Sequence, residues 1–217
     1  MPRSLRLEYP GAIYHVTTRG TRQAAIFLDD QDRASLLSIL AHALKECDAQ
    51  AFAYCLMGNH YHFVLQTRQA NLAVLMRRIN SVYSLAFNRR HGRCGHVFEG
   101  RYKALHVDRD AYLLEVCRYV DLNPVRAGLV ESPVRWGWSS YRANSGAVPP
   151  PPWLATREVH GFLPADGTRS EAGGRRYADW VAAGRGVRLW ANALRQGQYL
   201  GDDAFIERVE KAAKGTA

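Results

Sequence analysis

Residues 58–67 read Gly58-Asn59-His60-Tyr61-His62-Phe63-Val64-Leu65-Gln66-Thr67. In an extended strand successive side chains point to opposite faces, so His60 and His62 emerge on one side and Tyr61, Phe63 and Leu65 on the other. Two imidazoles side by side on rigid backbone can hold a divalent metal ion with one side open, as metal-assisted phosphate chemistry requires. The same spacing also fits a half-exposed strand whose histidines are ordinary polar residues. The rest of the chain has to separate the two readings.

Immediately upstream, Ala51 to Met57 is an apolar run that reads as a second strand. Gly58 and Asn59 form the turn between them, and so tight a connection implies antiparallel neighbours. Further back, residues 11–19 are rich in β-branched and aromatic types and end at Gly20, which predicts a strand and a turn. Between these strands Asp29, Asp30 and Asp32 can cap a helix, and Leu36, Leu37, Leu40 and Leu44 recur at helical spacing over about 31–46.

Downstream, the spacing predicts a long amphipathic helix over about 71–89, with Leu72, Leu75, Met76, Ile79, Tyr83, Ala86 and Phe87 on its apolar stripe. Its other side carries Arg77, Asn80, Ser81, Ser84 and Asn88, which suit either a sugar-phosphate backbone or plain water. Val97-Phe98 with Arg101 to Val107 reads as a hairpin or strand pair. Asp108 or Asp110 then caps a helix running to about Asn123, where Pro124 stops or redirects it. Leu113, Val116, Cys117 and Val120 form its buried stripe. Tyr112, Glu115, Tyr119 and Asn123 share an adjoining face, placing a phenol and a carboxamide one turn apart.

The 217 residues, 47% of them hydrophobic, can form one sizeable core or one domain with a smaller appendage. No apolar run reaches the roughly 18 residues of a membrane-spanning helix, and the first residues lack the apolar core of a signal peptide. A cytoplasmic, nucleoid-associated location without a membrane partner is the expectation. Cys47, Cys55, Cys94 and Cys117 lack the spacing of a metal clip or a disulfide scaffold, so reduced thiols are expected. The loop cluster His91, Cys94 and His96 has no second ligand pair to complete a zinc finger.

The net charge is +9, which favours a polyanionic partner. No acidic residue lies between Asp48 and Glu99, while Arg68, Arg77, Arg78, Arg89, Arg90 and Arg93 all do. Beyond Trp138 the composition changes. Residues 1–145 read as one domain, 146–174 as a Pro/Gly-rich linker that includes Pro149 to Pro152, and 175–217 as a basic helical extension with helical patterns around 175–184 and 202–213. Arg175, Arg176, Arg185, Arg188 and Arg195 make that tail basic.

A metal held by His60 and His62, with the Asn123 amide oxygen as third ligand, would be a mixed N and O site suited to Mg²⁺ or Mn²⁺. Tyr119 could then present its hydroxyl to phosphorus and form a covalent phosphotyrosine. A boundary tyrosine whose hydroxyl simply finds a partner fits the same spacing.

Four ordered strings carry a family resemblance: Tyr14-His15-Val16-Thr17-Thr18-Arg19-Gly20, Met57-Gly58-Asn59-His60-Tyr61-His62, Phe98-Glu99-Gly100-Arg101-Tyr102-Lys103, and Arg118-Tyr119-Val120-Asp121-Leu122-Asn123-Pro124-Val125-Arg126-Ala127-Gly128. Over about residues 5–143 the chain resembles the IS200-like single-tyrosine transposases, in the branch called REP-associated tyrosine transposases. The resemblance implies an α+β HUH-nuclease fold, a ferredoxin-like central antiparallel sheet flanked by helices. It implies His60, His62 and Asn123 as metal ligands and Tyr119 as the nucleophile. The implied partner is single-stranded DNA folded into hairpins from repetitive extragenic palindromes, bound by a monomer or homodimer. Arg19, Gly20, Arg77, Arg78, Arg89, Arg101, Lys103 and Arg126 are the candidate DNA-binding positions. Gly58 stands where many relatives have proline, which removes no ligand. The rival readings are a hairpin-binding regulator that keeps the fold without turnover, and a metal phosphodiesterase acting on other substrates.

Overall fold

The computed structural model describes residues 7–163, 172–184 and 199–214. Its first half runs β1 (Ile13–Arg19), α1 (Asp30–Glu46), β2 (Ala49–Leu56), β3 (His60–Thr67), α2 (Leu72–His91) and β4 (Lys103–Val107). These strands lie in the order β2-β3-β1-β4, every neighbouring pair antiparallel. That is the expected ferredoxin-like α+β arrangement. β1 and β3 are its two central strands.

The elements start where local chemistry starts them. The Asp29 carboxylate accepts from the Asp32 amide and caps α1. Asn71 precedes α2, which ends on Gly92 in the left-handed region. The Asp108 carboxylate accepts from the amides of Asp110 and Ala111 at the start of α3 (Arg109–Asp121). Leu122 and Pro124 then turn the chain into the single turn α4 (Asn123–Arg126).

Alternation along β3 divides the core in two. Tyr61, Phe63 and Leu65 pack with Leu36, Leu40, Leu75, Ile79 and Tyr83 of α1 and α2 on one side of the sheet. Val64 packs on the other side with Leu113, Val116, Cys117 and Val120 of α3. The histidine face of β3 is therefore the α3 face.

Three features depart from the sequence reading. Val97-Phe98 forms no hairpin with β4; Phe98 makes an isolated bridge to Gly20, while β4 pairs with β1. A two-residue strand, β5 (Tyr199–Leu200), adds to β4 in parallel, so the sheet is mixed at that edge. The proline-bearing stretch after residue 145, expected as a spacer, packs on the domain. After the turn α5 (Tyr141–Asn144), the Ala51 amide donates to the Trp153 carbonyl at 3.3 Å, and the Ala155 amide to the Ala51 carbonyl at 2.8 Å. Ser139 and Leu154 bridge to Cys55 and Ala51, so these segments cover the open edge of β2. Leu154 and Val159, the latter in α6 (Thr156–Gly161), are buried because the sheet edge and α3 leave apolar surface for them.

The tail contains the two expected helices, α7 (Ala172–Ala183) and α8 (Asp203–Lys214). α7 lies against α3: Tyr177 and Val181 are buried in the α3 cluster, and the Arg118 guanidinium sits 4.6 Å from the Trp180 ring centre. Arg175 and Arg176 lie on α7; Arg185, Arg188 and Arg195 fall outside the described residues. The four cysteines are free thiols, Cys94 alone exposed. No helix among the described residues is long and apolar enough to cross a membrane.

Candidate active site

Register decides what surrounds the histidine pair. Thr17 of β1 lies opposite His62, and Arg19 opposite His60. Residues directly opposite in an antiparallel pair share a face, so His15, Thr17, Arg19, His60 and His62 form one patch beneath α3. Helical spacing buries Val116 and Val120 against the sheet and leaves Tyr119 and Asn123 at the helix boundary, both half-buried. The two halves enclose a pocket of about 470 Å³. His60, His62, Tyr119 and Asn123 line it together with Thr17 and Thr18, and Arg19, Arg101 and Lys103 supply its positive charge beside one acid, Glu99.

The donor atoms are held from behind. His60 Nδ1 lies 2.7 Å from the Asn59 side-chain oxygen, and His62 Nδ1 lies 3.0 Å from His15 Nε2. Each histidine is left with Nε2 as its remaining ring nitrogen. The Asn123 amide nitrogen donates to the carbonyls of Tyr119 and Val120, both at 3.2 Å, which leaves the side-chain oxygen as its candidate ligand atom. Burial, assisted by the charge of Arg19, holds His60 down to about 4. Burial and then the neighbouring His15 hold His62 well below the ordinary imidazole range. Both rings are neutral at pH 7, the form that binds metal. Among the described residues no three His, Cys, Asp or Glu side chains converge as a metal cage. Two neutral imidazoles and one amide oxygen are thus the donor set on offer, and they fit a divalent ion that also takes oxygens from a phosphate.

Tyr119 stands against that donor set. Its ring centre is 6.1 Å from that of His62 and 5.8 Å from that of His15, both edge-on. The Arg126 guanidinium covers the phenol at 4.9 Å from the ring centre. Burial raises the Tyr119 pKa and the charge of Arg126 opposes the rise, so the phenol is protonated at neutral pH.

The model of the IS200-like transposase family matches residues 9–123, more than half of the chain and the four antiparallel strands β1 to β4. The chain belongs to the IS200-like transposases. No curated protein matches it. Among solved structures, this transposase is similar to a REP-associated tyrosine transposase bound to a REP hairpin, at 15% identity and a TM-score of 0.58, over 80% of this chain and 97% of that one. A putative transposase from Deinococcus radiodurans aligns at 15% identity and a TM-score of 0.39, over 55% of this chain and 95% of that one. The first of these likenesses establishes the fold: a five-stranded sheet with flanking helices.

The transposase brings together His60, His62, Tyr119, Asn123, Arg19, Arg101 and Lys103 at one pocket, with Arg126 stacked on the tyrosine. It places the other candidates elsewhere. Arg77, Arg78 and Arg89 lie on α2, across the sheet from the histidines, and Arg78 is engaged in an ion pair with Glu46. Gly20 acts through its backbone, since a Cβ there would lie 2.2 Å from the Ala24 carbonyl oxygen. Its amide donates to the Asn59 carbonyl at 2.8 Å, next to the first histidine. The sequence reading quoted His15 within a family string but gave it no place in the site. The signal was present in the alternation of His15, Thr17 and Arg19, but using it requires the pairing of β1 with β3.

Proposed function

We propose that this transposase is a divalent-metal-dependent endonuclease and strand transferase for single-stranded DNA, with Tyr119 as nucleophile and His60, His62 and Asn123 as the ligands of Mg²⁺ or Mn²⁺. The observation that carries the reading is the Tyr119 ring set 6.1 Å from the His62 ring in a pocket that also holds His60 and Asn123. All four side chains are brought together within one chain.

Bound there, the ion supplies Lewis-acid polarisation of the scissile phosphodiester. The remaining work falls to side chains. Arg19, Arg101 and Lys103 draw the phosphates into the pocket and offset their charge. The Tyr119 hydroxyl attacks phosphorus, the bond from phosphorus to the 3′ oxygen breaks, and a 5′-phosphotyrosine forms. The phenolic proton leaves to water as the attack proceeds, and the departing 3′ oxygen takes up a proton. Burial keeps the phenol protonated beforehand, so Arg126 acts on the charge that develops during attack rather than on a standing phenolate. The tyrosyl ester conserves the bond energy, and a 3′-hydroxyl attacking it rejoins the strand.

The fold shared with a transposase bound to a REP hairpin supports imperfect palindromic hairpins as the substrate. Mixing end-labelled hairpin single strand with the protein and Mn²⁺ should yield a covalent adduct that survives denaturing gel electrophoresis. The adduct should vanish in Tyr119→Phe and with EDTA. An adduct of full yield in Tyr119→Phe refutes the assignment.

A further inference from the structure

Behind the pocket wall lies one histidine that the proposed ligand set does not use. His15 is 2% exposed and sits behind His62, away from the pocket mouth. Its Nε2 is 3.0 Å from His62 Nδ1, and the two ring planes are within 13° of each other, so the hydrogen bond runs edge to edge through both rings. His15 Nδ1 is buried without a hydrogen-bond partner among the described residues. The contact with His62 is therefore the polar interaction that this buried ring has.

We propose that His15 is a positioning residue for His62, holding its Nδ1 so that Nε2 is the atom presented to a divalent cation. The inference rests on the pocket being a metal centre. Metal-bound histidines generally donate their second ring N–H to a carboxylate, a carbonyl or water, which fixes ring orientation and raises basicity. Among the described residues the partner behind His62 is a neutral imidazole rather than a carboxylate. A neutral ring has one donor and one acceptor nitrogen, so His15 can accept the Nδ1 proton of His62 without adding a negative charge to the site. His15, His60 and His62 do not converge as a three-histidine cage among the described residues. That separates a positioning role from direct ligation. Register explains why β1 supplies the residue. His15 lies opposite Val64, one step diagonally from His62 on the same face, within side-chain reach across an antiparallel pair.

The test compares wild type with His15→Phe, which keeps an aromatic ring but has no nitrogen, and with His15→Gln, whose amide can still reach His62 Nδ1. Mn²⁺ affinity is measured by EPR without DNA. ¹H-¹⁵N NMR of the metal-free proteins reads the imidazole N–H shared between rings 15 and 62, and thermal melting verifies folding. Expected are a shared, exchange-protected imidazole proton in wild type that is absent in His15→Phe, and an Mn²⁺ dissociation constant raised about 10–100-fold in His15→Phe. His15→Gln should recover most of that loss. Unchanged Mn²⁺ affinity in a folded His15→Phe overturns the inference, as does a His15→Gln protein no better than His15→Phe, since packing alone would then explain the site. A wild type that shows the shared proton but binds no Mn²⁺ refutes the metal centre itself, a different failure.

Discussion

Asp121 is fully buried, two residues beyond the proposed nucleophile, and it reports on how the tyrosine helix is held. Its two carboxyl oxygens accept from the Ser140 hydroxyl at 2.6 Å and the Tyr177 hydroxyl at 2.7 Å, tying α3 to the segment on the edge of β2 and to α7. Burial pushes its pKa up to about 7 from 3.8, against the downward pull of those two hydroxyls. The folded protein holds the carboxyl proton while the unfolded chain gives it up. The stability it contributes is then fully present below about pH 4 and lost as pH rises through 7. At about 1.4 kcal/mol per pH unit, that interval corresponds to roughly 4 kcal/mol. His15 and His60, each held down to about 4, have the opposite dependence: buried neutral, they lose stability as pH falls below 6.5 toward 4. The difference between wild type and Asp121→Asn therefore isolates the carboxyl. The amide keeps the shape and cannot ionise. Urea unfolding at half-unit steps from pH 4.5 to 8 should show Asp121→Asn gaining on wild type by about 3–4 kcal/mol across the range. A difference that stays constant with pH would show that Asp121 is ionised in the folded state, and would refute the reasoning.

Gly20→Ala forces a Cβ to 2.2 Å from a backbone oxygen and 2.8 Å from the Ile26 side chain, and should lower stability by about 1–3 kcal/mol by chemical denaturation. Gly58→Ala meets no atom within 4 Å, and Gly58 lies outside the left-handed region, so it should raise stability by about 0.5–1 kcal/mol in the same assay. Replacing Arg19 and Arg101 together by Ala should weaken hairpin binding at 100 mM salt and flatten the logarithmic salt slope by about 0.7 for each phosphate no longer neutralised. Fluorescence anisotropy in EDTA would measure that slope without cleavage.

Much of the fold was legible in residues 58–67, because alternation on a strand is a local property. His60 and His62 share a face and Tyr61 packs on the other, as their spacing requires. The stripe on α2 was equally readable, since Leu75, Ile79 and Tyr83 need nothing beyond helical periodicity to find the core. What escaped depends on partners distant in sequence. His15 joins the site through a register between β1 and β3 that neither strand encodes alone. The packing of Leu154 and Val159 was hidden by prolines that read as a spacer, although a chain can be stiff and still cover a sheet edge. Arg77, Arg78 and Arg89 were grouped with the site because they follow it in sequence, yet a helix packed on the Tyr61 face turns them away from the histidines. β5 is two residues long, too short for any periodicity to register.

The site also joins two kinds of structure. His15, Thr17, His60 and His62 stand on β1 and β3, and each of these strands is hydrogen-bonded along both sides within the sheet. Amides in such strands exchange with solvent chiefly when the whole domain opens. Tyr119 and Asn123 belong instead to α3 and the turn after it, which side chains secure through the hydroxyls that Asp121 accepts from and the Arg118 stack on Trp180. The candidate cleft is thus a vise with one jaw cast into the frame and the other bolted on. Any adjustment of the cleft width falls to the bolted jaw, and its bolts lie in Ser140, Tyr177 and Trp180, residues outside the pocket lining.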